Sequence, residues 1–211
     1  MQIYKLVFSP IEVNTYILEG DDNKCAVIDC GCYTYEEFGH LTDFIEKKKL
    51  EPVLLLNTHC HLDHIFGNRW FLEKYKLGTL CHKGDEMNRK DSVKLAMFIG
   101  LTMDNPPEPE GFLEDGQIIT FGPFNIKVLH VPGHSPGSIA FYIEGENIVF
   151  TGDALFAGTI GRTDLPGGDY NTLISSINTK LFTLPPETVV YPGHSGSTTI
   201  SDEIKTNPHF R

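Results

Sequence analysis

The chain has 211 residues, with 17 Lys and Arg against 28 Asp and Glu and a net charge of -11. This balance excludes a nucleic-acid backbone as the main partner, because phosphate contacts need a basic surface. The five cysteines are odd in number and lack C-x-x-C spacing, which excludes a disulfide scaffold or zinc ribbon and predicts reduced thiols in the cytoplasm. No apolar run reaches the length of a bilayer span.

The first residues, Met1 to Phe8, lack the charged start and longer apolar run of a secretion signal and read instead as a strand. Ile3 to Phe8, Asn14 to Leu18 and Lys24 to Asp29 form three short strands broken by Ser9-Pro10 and Gly20-Asp21-Asp22-Asn23. Tyr35 to Lys49 carries Phe38, Leu41, Phe44 and Ile45 at helical spacing and ends in a basic turn that suits the negative end of the helix dipole. Pro52 to Leu56 is wholly apolar and reads as a strand buried on both faces, delivering Asn57-Thr58-His59 at its carboxyl end. A helix over Phe66 to Lys76 turns Trp70, Phe71 and Tyr75 inward.

A helix over Glu86 to Leu101 holds Met87, Val93, Met97 and Phe98, and Asn105-Pro106-Pro107-Glu108-Pro109 cannot continue it. The stretch 83–116 reads as an insertion laid over one side of the domain, a lid with adaptable apolar surface. Strands follow at Ile118 to Thr120, Phe124 to His130, Ile139 to Ile143 and Asn147 to Phe150, then a helix at Asn171 to Phe182 and a strand at Thr188 to Tyr191. Phe156 and Tyr170 read as core residues. The whole of 1–211 is expected to be one domain, because the polar clusters that matter span it.

Those clusters are His59-Cys60-His61-Leu62-Asp63-His64, then His134 in Pro-Gly-His-Ser, Asp153 in Thr-Gly-Asp-Ala and His194 in Pro-Gly-His-Ser. Imidazole and carboxylate are donors that borderline divalent ions accept, whereas structural zinc is usually closed by thiolate. Five His and two Asp exceed what one tetrahedral ion needs with a position left for water, so the set predicts two ions sharing a carboxylate and doing hydrolytic chemistry. His59 and His61 leave extended chain on the same side, while His64 opens the next helix and faces elsewhere. Cys60 points opposite to both and reads as packing. Asp29, at a strand end, reads either as an orienting partner for a ligand histidine or as a turn cap.

The H-x-H-x-D-H motif, with the later His, Asp and His, resembles the metallo-β-lactamase superfamily over nearly the whole chain. The fold this implies is α/β, a four-layer αβ/βα sandwich with metals at one edge between two sheets. Thr151 to Phe156, Gly161-Arg162-Thr163-Asp164-Leu165-Pro166-Gly167-Gly168-Asp169 and the ending Asn207 to Arg211 are similar to the short, single-domain bacterial members of the glyoxalase II (hydroxyacylglutathione hydrolase) group. The resemblance implies one ion on His59, His61 and His134, another on Asp63, His64 and His194, and Asp153 bridging. It implies two divalent ions, zinc first with iron or manganese as alternatives, and a bridging hydroxide that attacks a small-molecule thioester with Asp63 helping to orient it.

Arg162 lies where relatives place a basic substrate contact, and a pairing with Asp164 or Asp169 weighs equally. Only Ser195 to Arg211 follow the last ligand, where glyoxalase II relatives continue into a glutathione-binding domain, so weak discrimination among thiol carriers is expected. The rival activity is a mononuclear iron persulfide dioxygenase of the same superfamily, using His59, His134 and Asp153. A nuclease is disfavoured by the acidic charge, and a β-lactamase by His64, which completes the second-site pattern.

Overall fold

The computed structural model describes residues 1–211. Strand β1 (Gln2–Phe8) pairs antiparallel with β2 (Val13–Glu19), and β2 with β3 (Lys24–Ile28). Alternation gives each strand two faces: Tyr16, Leu18, Ala26 and Ile28 join one core cluster, while Ile17, Cys25 and Val27 join another. Helix α1 (Tyr35–Lys47) begins at a capping box, in which Thr34 Oγ1 accepts from the Glu37 amide at 3.2 Å and the Glu37 carboxylate accepts from the Thr34 amide at 3.3 Å. It buries Leu41 and Ile45 against the outer face of the sheet.

Parallel strands then follow. They are β4 (Glu51–Leu56), β5 (Thr79–His82) and β6 (Gly111–Leu113), linked through α2 (Leu62–Ile65) and α3 (Asn68–Tyr75) and then through α4 (Glu86–Phe98). The first sheet therefore runs β1-β2-β3-β4-β5-β6.

The second sheet opens as an antiparallel meander, β7 (Ile118–Phe121), β8 (Phe124–His130), β9 (Ile139–Ile143) and β10 (Ile148–Gly152). A small ribbon of β11 (Leu155–Phe156) and β12 (Thr159–Ile160) leads to α5 (Tyr170–Ser176), which continues as a π-helical turn over Ile177–Leu181. Strand β13 (Val189–Pro192) joins parallel to β10, and β14 (Thr198–Thr199) and α6 (Ile200–Thr206) close the series. Tyr16, Ile28 and Leu56 of the first sheet meet Val128, Phe141 and Phe150 of the second in a shared core, with helices outside both sheets. Four layers result, two sheets face to face and a helical layer on each flank.

Several expected elements differ. Strand β4 is fully buried only at Leu55 and Leu56, which enter the outer and the shared core in turn, so the expected burial on both faces holds at its carboxyl end and not over its first four residues. The helix expected over Phe66 to Lys76 is α3, starting two residues later at Asn68, and a separate short α2 precedes it; between them stands Gly67, whose absent side chain makes room for Cys30 Sγ. Tyr170 is not core, being 45 % exposed at the start of α5. Helix α4 stops at Phe98 and turns Met87, Met97 and Phe98 outward, because Arg89, Ser92 and Ala96 occupy its inner side. Strands β5 and β6 and helix α6 had no counterpart in the sequence reading.

Candidate metal centre

The polar clusters meet where strands end. His59 and His61 follow β4, Asp63 and His64 sit on α2, His134 follows β8, and Asp153 and His194 follow β10 and β13. Parallel pairing of β10 with β13 brings the last two side by side. Tight contacts allow this only with glycine: a Cβ on Gly193 would lie 2.1 Å from Asp153 Oδ1 and 2.7 Å from His64 Cε1.

All seven residues converge: His59, His61 and His134 form one set and Asp63, His64 and His194 another, and His59, His64 and Asp153 form a third group that overlaps both. His61 Nδ1 lies 2.9 Å from His134 Nε2, which lies 3.2 Å from His59 Nε2. Asp63 Oδ2 stands 3.2 Å from His194 Nε2 and 3.6 Å from His64 Nε2. Asp153 reaches toward both, with Oδ1 3.3 Å from His64 Nε2, and Oδ2 3.7 Å from His134 Nε2 and 3.6 Å from His194 Nε2.

The outer nitrogens decide which lone pairs face inward. His134 Nδ1–H donates to the Arg162 carbonyl at 2.7 Å, and His194 Nδ1–H to the Glu12 carbonyl at 3.1 Å. His64 Nδ1–H donates to Asp29 Oδ2 at 2.9 Å. The Thr58 hydroxyl also donates to that oxygen, at 2.7 Å, and so accepts from His59 Nδ1–H at 3.1 Å. Asp29 thus orients one histidine of each set, held in a left-handed conformation (φ 57°) that aims its carboxylate between them.

With those tautomers, the Nε2 atoms of His59 and His134 are bare lone pairs 3.2 Å apart. Such a contact repels unless a cation lies between, and two nitrogens about 2.0–2.1 Å from one tetrahedral ion stand roughly 3.3 Å apart. His64 Nε2 and Asp153 Oδ1 are buried and have no hydrogen-bond partner. The residues fit a metal.

Charge follows the same division. Burial, with His64, His61 and His134 adjacent, holds His59 well below the ordinary imidazole value, and burial takes His61 down to about 4. Burial also opposes a charge on His64, but Asp63, Asp153 and Asp29 outweigh it and raise its pKa well above the ordinary value. Burial likewise opposes ionisation of Asp63 and Asp153, yet the neighbouring histidines hold both carboxylates below the usual range.

Asp85 was invisible in the sequence, where Lys83-Gly84-Asp85-Glu86 reads as an ordinary polar helix start. Fully buried, its carboxylate accepts from the Cys60 amide at 2.8 Å, the Ser135 hydroxyl at 2.8 Å and the Gly137 amide at 2.6 Å. One side chain therefore staples the His59–His61 segment to the His134 loop. Cys60 packs with Ile65 and Cys81, and all five thiols are unpaired. Arg162 is exposed and forked onto Asp164, with Nε and Nη2 donating at 2.7 and 2.8 Å, so its partner is Asp164 and not Asp169. It also lines, with Asp63, His134, Asp153 and His194, a cavity of about 380 Å³ above the ligand sets. Phe156 is half-buried, its ring centroid 6.3 Å from that of His194.

A two-sheet sandwich with such a centre at its strand ends defines a metal-binding hydrolase fold. Residues 9–194 match the model of the metallo-β-lactamase superfamily, and the chain belongs to that family. It is 37 % identical over 210 residues to the hydroxyacylglutathione hydrolase GloC of Haemophilus influenzae, spanning 99 % of this chain and 97 % of that protein. Among solved structures it resembles BLEG-1, a B3 metallo-β-lactamase, with TM-score 0.91, 32 % identity and 99 % of each chain covered. It also resembles TTHA1623 in a di-iron-bound form, with TM-score 0.87, 36 % identity and coverage of 97 % and 98 %. The chain is therefore a metal-dependent hydrolase by family, and no helix is long and apolar enough to cross a membrane.

Proposed function

We propose that the chain is a dinuclear thioester hydrolase of the hydroxyacylglutathione hydrolase type, working as one domain in the cytoplasm. The observation that carries this reading is the pair of complete ligand sets, His59, His61 and His134 beside Asp63, His64 and His194, with Asp153 between them. Zinc suits the nitrogen-rich donors, with iron and manganese as alternatives. Bound there, the ions would activate water and polarise the thioester carbonyl.

The protein's own residues do the rest. Asp29 and the Glu12 and Arg162 carbonyls fix the imidazoles, so the donors need no reorganisation during turnover. Asp63 lines the cavity and is held ionised, which lets it orient the attacking water. Water oxygen bonds to the carbonyl carbon, the C–S bond breaks, and the products are a carboxylic acid and a thiol. With a thiol pKa of about 8.5 the leaving thiolate needs no strong acid. Arg162 at the cavity rim supplies a cation for an anionic substrate group by exchanging its exposed contact with Asp164.

The oxygenase reading draws support from the likeness to ETHE1 from Myxococcus xanthus, with TM-score 0.80 and 27 % identity, yet leaves Asp63, His64 and His194 without work. The test is metal analysis with lactoyl-glutathione hydrolysis, oxygen uptake with persulfide, and a β-lactam panel on the same preparation. Two ions, thioester turnover and a loss of both ions in Asp153→Asn support the proposal. One tightly bound iron with oxygen consumption, or turnover of β-lactams alone, overturns it.

A further inference from the structure

Helix α4 carries its amphipathic character inside out. Its inner side is Arg89, Ser92 and Ala96, and Arg89 is used there: the guanidinium donates to Glu108 Oε2 at 2.7 Å and to the Pro106 and Pro107 carbonyls at 3.4 Å. These bonds tie the proline-rich segment to the helix. The apolar residues are left over, with Met87, Met97 and Phe98 exposed by 67, 70 and 87 %. An exposed apolar cluster beside an active-site cavity marks a binding surface more often than a packing accident.

A cleft of about 640 Å³ runs between this face and the loop at Leu165 to Gly167, walled by Met87, Leu95, Phe98, Pro136, Leu165 and Pro166. Its inner end is His61 and Leu62, which also line the cavity above the ligand sets, as do Leu95 and Leu165. The two spaces share these four walls, so the cleft adjoins the metal cavity. From Met87 to Phe98 the helix rises about 16 Å at 1.5 Å per residue, so the cleft is long as well as apolar. The cation on its wall, Lys94, is bonded to Asp91 at 2.8 Å, whereas Arg162 lines only the metal cavity. A charged thiol carrier is thus served on the Arg162 side, and the cleft is left for an uncharged chain.

Resting on the thioesterase reading, the geometry points to an extended apolar acyl chain as the occupant of this cleft, and so to acyl thioesters longer than lactoyl as preferred substrates. Met87 and Phe98 set the chain length accepted, because they stand at its outer walls. The unbranched methionine side chain adapts to a flexible chain at low cost.

The test uses metal-loaded full-length protein and acetyl, butanoyl, hexanoyl and octanoyl thioesters of N-acetylcysteamine. The value of kcat/KM should rise about two- to fourfold per added methylene, and Phe98→Asp should cut the octanoyl-to-acetyl ratio at least tenfold. Phe98 is exposed, so this variant folds; Leu165→Asp checks the opposite wall. Separately, the non-hydrolysable octyl thioether of N-acetylcysteamine should slow amide hydrogen exchange in 86–98 and leave α1 unaffected. A flat chain-length profile with brisk thioester turnover overturns the cleft assignment and leaves the thioesterase reading standing. Octyl-thioether protection of 86–98 without turnover of any thioester overturns the reaction and keeps the cleft. A concentration-dependent dimer that buries Phe98 and excludes the thioether assigns the face to a second copy and overturns the proposal.

Discussion

Asp85→Asn separates a structural accident from a device that sets the metal centre. The carboxylate receives the Cys60 amide and Ser135 hydroxyl on one oxygen and the Gly137 amide on the other. An asparagine of the same shape keeps one acceptor oxygen. Facing Gly137 with it, the side chain turns an NH2 toward the Cys60 N–H, donor against donor, while Ser135 can redirect its hydroxyl to Ser138 Oγ at 2.8 Å. The loss is then one bond to a charged group, about 1.5–3 kcal/mol, together with a stranded buried N–H, so roughly 3 kcal/mol is expected. A domain stable by about 5–15 kcal/mol survives that.

Because Cys60 lies between His59 and His61, slack at its amide reaches both ligands, and about 10- to 100-fold weaker metal binding should accompany the lost stability. Urea unfolding of metal-free protein gives the first quantity and competition with a chromophoric chelator the second. Asp43→Asn, on exposed surface of α1, serves as the control and should shift stability by less than about 0.5 kcal/mol. If Asp85→Asn unfolds within about 1 kcal/mol of the parent and binds metal equally well, the stapling argument is wrong.

Gly193→Ala should leave the secondary structure intact by circular dichroism yet lower metal content, because the added carbon meets Asp153 Oδ1 at 2.1 Å; full metal load would show that the ligand loop yields. Arg162→Ala should change stability by less than about 1 kcal/mol, its ion pair being exposed. The same variant should raise KM for anionic thioesters over neutral ones by about 10- to 150-fold, the equivalent of 1.5–3 kcal/mol; equal loss for both would return Arg162 to a loop-stapling role. Metal affinity should keep climbing with pH above about 6.5, by up to tenfold per unit for each proton displaced, since metal-free His64 has a raised pKa and holds a proton the ion must expel. Titrations at pH 6, 7 and 8 showing a plateau from 6.5 upward would contradict that charge assignment.

What the sequence disclosed was local chemistry. Histidines and aspartates in short motifs name their donors whatever the tertiary context, and the strands expected over Phe124 to His130 and Ile139 to Ile143, set off by turn residues, reproduce β8 and β9 to the residue. Strand β5 went unread because Thr79-Leu80-Cys81-His82 has no pattern of its own; its extended state comes from pairing with β4 and β6. Asp85 went unread for a related reason, since its partners lie 25, 50 and 52 residues away. Helix α4 misled by its period alone: helical spacing of Met87, Met97 and Phe98 says that they share a region of surface, and only the arginine beneath says which way it faces.

The last ligand is held by the beginning of the chain. Val13 bridges His194, the Asn14 amide donates to the Gly193 carbonyl at 2.7 Å, and the Tyr16 hydroxyl donates to the Pro192 carbonyl at 2.7 Å. These contacts close a loop of some 180 residues, and closures of that span are among the slow events of folding. During synthesis at about 5–20 residues per second, His59 and His61 emerge many seconds before the segment that completes the second ligand set. His194 is therefore the last donor to be made, and a chain halted before β13 carries only six of the seven.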